Sequence, residues 1–229
     1  MMEKKTNKSI AVLLPMKSHS ERVKNKNFRS FNGKPLFQWI LETVLSINDI
    51  SEVIINTDAA DRLKNKSLIQ TDRIRLRTRK PTLCGDFVSM NKVIEDDVIS
   101  SNADIYIMTH TTNPLISAST IKAALARFRE KLFNNEADSL FTVNRYQTRF
   151  YRKDGSPVNH DPDKLIRTQD LEPWYEENSN LYIFTRDSFQ KTNSRIGIKP
   201  AMFEMPPWES IDIDDQESWD FAEMIAKAQ

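Results

Sequence analysis

Two charged clusters in this chain have residue types and spacings that could do chemistry. The first is PMKSHSERVKNKNFR, Pro15 to Arg29, which carries Lys17, Arg22, Lys24, Lys26 and Arg29. Lysine and arginine make charge-assisted hydrogen bonds to phosphate oxygens. Ser18 and Ser20 add hydroxyl donors, so the loop suits a triphosphate. A bare charge run reads more readily as solvated surface. What favours a site is the position directly after an apolar run, because ligands of open α/β sheets bind outside the carboxyl ends of strands. The second cluster is ESIDIDD, Glu209 to Asp215. In a strand, residues i and i+2 share a face. Asp212 and Asp214 then converge while Ile211 and Ile213 point inward. Two adjacent carboxylates repel unless a cation lies between them, and hard oxygen ligands beside phosphates suit Mg²⁺. A solvated strand end leading into an acidic helix start is the alternative. The presence of a phosphate-suited loop favours the metal.

Three further polar segments stand at element ends. Asn56-Thr57-Asp58 is expected to cap the helix that follows. Arg79 to Ser89 enters a helix whose first backbone N–H groups could bind an anion or a base edge. Thr109 to Leu115 follows a buried strand. It contains His110 without a nucleophile partner, so no triad is expected. Cys84 reads as a small packed residue, and His19 and His160 lie in loops.

The elements that must hold these residues follow from periodicity. Ser9 to Leu14 is a continuous apolar run, expected as a buried parallel strand. A helix starts at Pro35 with Leu36, Ile40, Val44 and Leu45 aligned. Strands are expected at Val53 to Ile55, Ile74 to Arg77, Ile105 to Thr109 and Leu140 to Val143. Between them lie a short polar helix from Ala59 to Lys66, a helix from Met90 to Ser100 with Ser89 as its N-cap, and a helix from Ser119 to Leu132. This alternation predicts a mostly parallel α/β sheet with right-handed crossovers. From Asn144 to Asn180 the rhythm breaks into a stretch rich in Arg, Asp, Pro and aromatics. It is expected to be a β-rich excursion, because Tyr146, Phe150, Tyr151, Trp174 and Tyr175 need burial. Leu181 to Phe184 returns to the sheet. Met202 to Met205 and Ser210 to Ile213 are expected as late strands, and Asp215 to Ala228 as a closing helix.

Composition narrows the classes. With 229 residues, the chain is expected to be one domain, 1–229, with the excursion 144–180 inserted in it. The formal net charge of +1 argues against a nucleic-acid partner. No apolar run approaches the ~18 residues of a membrane span. The polar start, Met1 to Lys8, lacks a signal-like apolar region, and the single cysteine fits a cytoplasmic protein. Only four glycines are present, with no GxGxxG and no GxxxxGK[ST]. A dinucleotide site and a P-loop therefore lose their main support.

Taken in order, these motifs resemble those of the acylneuraminate cytidylyltransferases, with the CMP-KDO synthetases as more distant relatives. The resemblance runs from about Ile10 to Glu223. The family's PARxGSKRIPxKN is similar to Pro15 to Asn27. Its RP..L..D...S is similar to Arg79, Leu83, Asp86 and Ser89. Its QPTSPLR is similar to His110 to Ile116, its RRQDLP to Arg167 to Leu171, and its ENGAIYI to Glu177 to Ile183. SIDID stands unchanged at Ser210 to Asp214. Lys17 replaces an Arg, Glu21 a Lys, Lys24 a Pro, His110 a Gln and Ile116 an Arg.

The resemblance implies a Rossmann-like three-layer α/β sandwich. It also implies that a 2-keto sugar acid attacks the α-phosphate of CTP and that pyrophosphate leaves. Lys17, Ser20, Arg22 and Lys26 would hold phosphates, with Lys17 also catalytic. Asn27, Arg79, His110 and the backbone at Val88 and Ser89 would line the nucleotide. Arg149, Arg167, Gln169, Asn178 and Tyr182 would take the acid. Mg²⁺ would sit on Asp212 and Asp214, and the excursion would form a homodimer. Two other classes fit parts of the pattern: a DxD-type nucleotide-sugar glycosyltransferase and a non-catalytic nucleotide-binding module. In the former the DxD lies mid-chain, whereas here it is fifteen residues from the C-terminus.

Overall fold

The computed structural model describes residues 8–228, so Met1 to Asn7 of the polar start lie outside the described residues. A seven-stranded sheet forms the middle layer, in the order β5-β4-β1-β6-β8-β7-β9. The strands are β1 (Ile10–Met16), β4 (Glu52–Thr57), β5 (Ile74–Thr78), β6 (Ile105–Thr109), β7 (Ser139–Tyr146), β8 (Trp174–Thr185) and β9 (Pro200–Glu204). β1 pairs in parallel with β4 and β6, β4 with β5, and β7 with β9. Only β8 runs the other way, antiparallel to both β6 and β7. The sheet is mostly parallel, as the alternation predicts.

β1 shows how the layers arise. Successive side chains leave a strand on opposite faces. Ile10, Val12, Leu14 and Met16 join one core cluster, with Phe37, Ile40, Leu41 and Val44 of α1 (Leu36–Leu45) and Ile121, Leu125 and Phe128 of α4 (Ala118–Phe133). Ala11 and Leu13 join the other, with Ile94 and Val98 of α3 (Met90–Ser100) and Phe189 of α5 (Arg186–Thr192). A strand with apolar residues at every position therefore requires a helix layer on each side. A third cluster packs Trp219 of α6 (Gln216–Ala228) edge-on to Phe31, at 5.4 Å between ring centroids. Phe31 belongs to a two-strand hairpin, β2 (Ser30–Phe31) and β3 (Lys34–Pro35). Asn32 and Gly33 turn it with φ of 44° and 91°, the left-handed pair that a two-residue hairpin favours.

Several expected elements differ. The expected polar helix shrinks to α2 (Ala60–Leu63). Ser89 precedes α3 without a side-chain cap bond. Asn56 and Asp58 bond elsewhere, and Thr57 Oγ1 accepts only from the Ala59 N–H ahead of α2, so none of the three caps a helical N–H. Ser210 to Ile213 has no regular secondary structure and joins no sheet. The expected excursion is partly sheet, since β7 and β8 continue as a hairpin to Tyr146 and Trp174. Phe150 stacks on Trp174 at 5.4 Å, yet Tyr146, Tyr151, Trp174 and Tyr175 stay 42–56% exposed. The arm does not bury its own aromatics. No helix among the described residues is long and apolar enough to cross a membrane.

Candidate active site

The carboxyl ends of β1 and β6 bring the two charged clusters together. β1 delivers Lys17 and the cationic loop; β6 delivers His110 to Asn113. The acidic segment lies across them. It has no ladder partner, and single bonds pin it instead. The backbone N–H of Ile213 donates to the Thr112 carbonyl at 2.9 Å. Asn180 Nδ2 donates to the Ser210 carbonyl at 3.0 Å, and Lys26 Nζ to the Ile213 carbonyl at 2.6 Å. Glu209 accepts from the Ser117 N–H at 2.9 Å. The period-two spacing predicts a strand over Ser210 to Ile213, and the structure shows none there; the segment is held by these single bonds instead.

The loop cations answer the acidic pair directly. Arg22 Nη2 lies 3.1 Å and Lys26 Nζ 3.8 Å from Asp214 Oδ1. Loop cations therefore already offset part of the repulsion between the two carboxylates. Burial pushes the Asp212 carboxyl above its ordinary range, and Asp214 adds to this against the Thr112 hydrogen bond, Lys26 and Arg22. Asp212 Oδ1 is buried with no hydrogen-bond partner. Burial lowers the Lys26 ammonium despite Asp214 and Asp212. Its side chain is only 12% exposed, so it is not a free surface lysine.

Lys17 pairs with Asp86 at 2.9 Å, tying the first loop to the loop before α3. Ser18 donates its N–H and hydroxyl to Asp58 at 2.6 and 2.8 Å. Asn27 is buried. It donates to the Lys17 carbonyl at 2.7 Å and accepts from Thr111 Oγ1 at 2.5 Å, which sets the curve of the loop. Arg79 is buried, and its Nη2 donates to the carbonyls of Asn56 and Met16 at 2.8 and 3.3 Å. Val88 and Ser89 open onto solvent at the start of α3 beside a fully exposed Phe87. His110 sits in the cleft. Burial, then Arg195 and Lys26, push its pKa down to about 4, so it is neutral at neutral pH.

β8 supplies the opposite wall. Between the Phe141–Tyr182 and Val143–Glu177 pairs its register slips, and Ser179 takes φ 56° in the resulting bulge. Asn178 is locked there, accepting from Thr142 Oγ1 at 2.7 Å and donating to Asn144 at 3.0 Å. Burial and the hydrogen bond to Glu177 push Tyr182 up to about 12. Arg195 stacks on the Tyr182 ring, 4.0 Å from its centroid, and faces Glu177 at 3.6 Å. Ser89, Asn91, Glu177, Ser194 and Arg195 line one pocket. Arg195 belongs to none of the sequence motifs; its only signal was a cation beside the turn glycine Gly197.

Not every expected residue joins the cleft. Arg149 donates to the Ile166 carbonyl, Arg167 forks onto Asp170, and the Gln169 carbonyl accepts from Gln147. All of these partners lie within the arm. Ser20 makes no side-chain hydrogen bond among the described residues and stands partly open on the first loop.

A family model described as "Cytidylyltransferase" matches residues 11–229. The chain belongs to the cytidylyltransferase family. It is 28% identical over 222 residues to an N-acylneuraminate cytidylyltransferase of Oncorhynchus mykiss, covering 93% of this chain and 49% of that protein. It thus spans about half the length of that relative. It is 24% identical over 226 residues to a pseudaminic acid cytidylyltransferase of Campylobacter jejuni, covering 94% of this chain and 95% of that one. Among solved structures, a CMP:2-keto-3-deoxy-manno-octonic acid synthetase complexed with CTP superposes with a TM-score of 0.66 at 16% identity, over 96% of this chain and 100% of that one. A 4-diphosphocytidyl-2C-methyl-D-erythritol synthase of Anaerococcus prevotii gives 0.67 at 13% identity, over 96% and 97%. These likenesses bear out the Rossmann-like α/β fold.

Proposed function

We propose that this chain is a nucleotidyltransferase that joins CMP to a 2-keto sugar acid. The anomeric oxygen of the acid bonds to the α-phosphorus of CTP. The bond from that phosphorus to the bridging oxygen breaks, its electron pair leaves with pyrophosphate, and the hydroxyl proton is released. The observation that carries this reading is the meeting of Arg22 and Lys26 with Asp214 at the carboxyl ends of β1 and β6, in a chain matched along nearly its whole length by one family model.

The chemistry needs positioning and charge neutralisation more than a covalent intermediate. Lys17, Arg22 and Lys26 are the side chains for the phosphates. Asn27 shapes the loop that carries them, and Arg79 and the start of α3 face the nucleoside. Tyr182, Asn178 and Arg195 line the wall for the acid, Arg195 suiting a carboxylate. Asp212 and Asp214 are the ligands for Mg²⁺, and the unpartnered Asp212 Oδ1 fits that role. The ion would supply polarisation of the phosphate oxygen. The arm's exposed aromatics suit a second copy of the chain, whose arrival would also bring Arg149 or Arg167 to the neighbouring cleft.

The test is a panel of 2-keto sugar acids, sialic, pseudaminic, legionaminic and KDO-type, each incubated with CTP and Mg²⁺. Mass spectrometry of a CMP conjugate with at least one acid is the expected result. CTP binding without any conjugate across the panel would contradict the reading and favour the binding-module class.

A further inference from the structure

A line of buried polar side chains runs from the middle of α3 to the nucleotide end of the sheet. Asp97 lies on the face of α3 that also buries Val93, Ile94 and Val98. A carboxylate there breaks the apolar pattern, and such breaks concentrate at functional positions. Asp97 is 1% exposed, Asn56 at the end of β4 is 0% and Arg79 is 5%. Asn56 Nδ2 donates to Asp97 Oδ1 at 2.7 Å, and Arg79 Nε donates to Asn56 Oδ1 at 3.0 Å. The two bonds fix the amide orientation jointly. The arginine can only donate, so it must meet the amide oxygen. The carboxylate accepts, so it meets the amide nitrogen.

We propose that Asp97 is a positioning residue for nucleobase recognition, acting through Asn56 to hold the guanidinium of Arg79 in the nucleotide cleft. This rests on the cytidylyl-transfer reading above. Arg79 spends Nε on Asn56 and Nη2 on two backbone carbonyls, and Nη1 has no hydrogen bond among the described residues. Nη1 is the nitrogen left to meet a base edge. The ion pair of Asp97 with Arg77 does not explain the arrangement, because Arg77 already holds Asp96 at 2.7 Å and its backbone carbonyl at 3.0 Å. Asn56 Nδ2 has Asp97 as its one acceptor among the described residues. Burial lifts Asp97 to about 6 against Asn56 and Arg77, so its charge at neutral pH works against folding.

The experiment measures calorimetric Kd values of CTP and UTP for the full chain, with no acid acceptor. Asp97→Ala is expected to weaken CTP by about tenfold, one hydrogen-bond equivalent, and to shrink the preference for CTP over UTP. Asp97→Asn keeps an acceptor for Asn56 and restores wild-type affinity. In an Arg79→Ala background the further change Asp97→Ala costs less than about twofold, since coupled residues are non-additive. Asn56→Ser cuts the same line at its middle and decides the matter if Asp97→Ala does not fold. A purely structural role would lower melting temperature and leave the CTP-to-UTP ratio unmoved. That outcome, or full additivity with Arg79→Ala, overturns the proposal alone. Failure of the wild-type chain to bind CTP overturns the cytidylyl reading and this proposal together.

Discussion

At the scale of single residues, Asp212 and Asp214 have different jobs in the folded chain, and neutralising them should separate those jobs. Asp212 is an ion that burial disfavours, with one oxygen unpartnered. Asp212→Asn should leave thermal stability unchanged or slightly raised. Asp214 faces Arg22 and the mostly buried Lys26. Asp214→Asn should cost about 1 kcal/mol, discounted for its half-exposed position. Both changes should remove Mg²⁺-dependent turnover. Calorimetric melting beside activity checks the pattern, and equal shifts in the two variants would contradict it. The lysines divide in the same way. Lys17 and Asp86 are 40% and 64% exposed, so their pair is worth little to stability. Lys17→Ala should keep the melting temperature and lower kcat/KM by about ten- to a hundredfold. Lys26→Ala should lower both, because its ammonium also holds the Ile213 carbonyl.

His110 carries the pH dependence. Its folded pKa of about 4 lies below the ordinary 6.5. The unfolded chain therefore binds the proton first as pH falls, and stability is lost between about 6.5 and 4. His110→Gln removes that loss. The stability of wild type minus variant should fall by about 1–3 kcal/mol from pH 7 to pH 4.5, measured by urea unfolding. A flat difference would show that the ring is solvated.

At the scale of elements, the acidic segment depends on tethers rather than on a ladder. Asn180 Nδ2 holds both the Ser210 and the Asn178 carbonyls at 3.0 Å. Asn180→Ala should cost about 1–3 kcal/mol, since buried carbonyls lose their donor. It should also lower turnover with a largely unchanged CTP Kd. Unfolding curves and kinetics together test this, and an active variant of normal stability would refute the tether. The same segment marks where sequence reading ends. β1, α1, α3, β6 and α4 were legible, because a long apolar run or a 3.6-residue period is a local signal. Ser210 to Ile213 alternates like a strand, but its partners are one backbone carbonyl and several side chains distant in sequence, and no local pattern encodes them. Ser89 and Asp58 have capping side chains at helix starts, yet Asp58 is claimed by Ser18. The two charged clusters whose members Arg22, Lys26 and Asp214 meet in the fold were legible because charge type and motif order survive without geometry. Arg195 was not, because its place over Tyr182 depends on how the loop after α5 folds back.

For the whole molecule, the arm extends β7 and β8 outward and leaves Tyr146, Tyr151, Trp174 and Tyr175 half exposed, with Leu165 and Ile166 nearby on the same arm. Exposed apolar residues on one arm support the proposed pairing with a second copy. Light scattering at micromolar concentration should give a dimer, and Trp174→Ala should shift it toward monomer; a monomeric wild type would contradict the proposed pairing. The chemistry of the whole molecule is the proposed cytidylyl transfer. Its most direct measurement is pyrophosphate release in one assay, with CTP, UTP, ATP or GTP, and with the accepted acid present or omitted. The account predicts release from CTP well above the other three, and only when the acid is present. Equal release from ATP, or release from CTP without any acid, would contradict it.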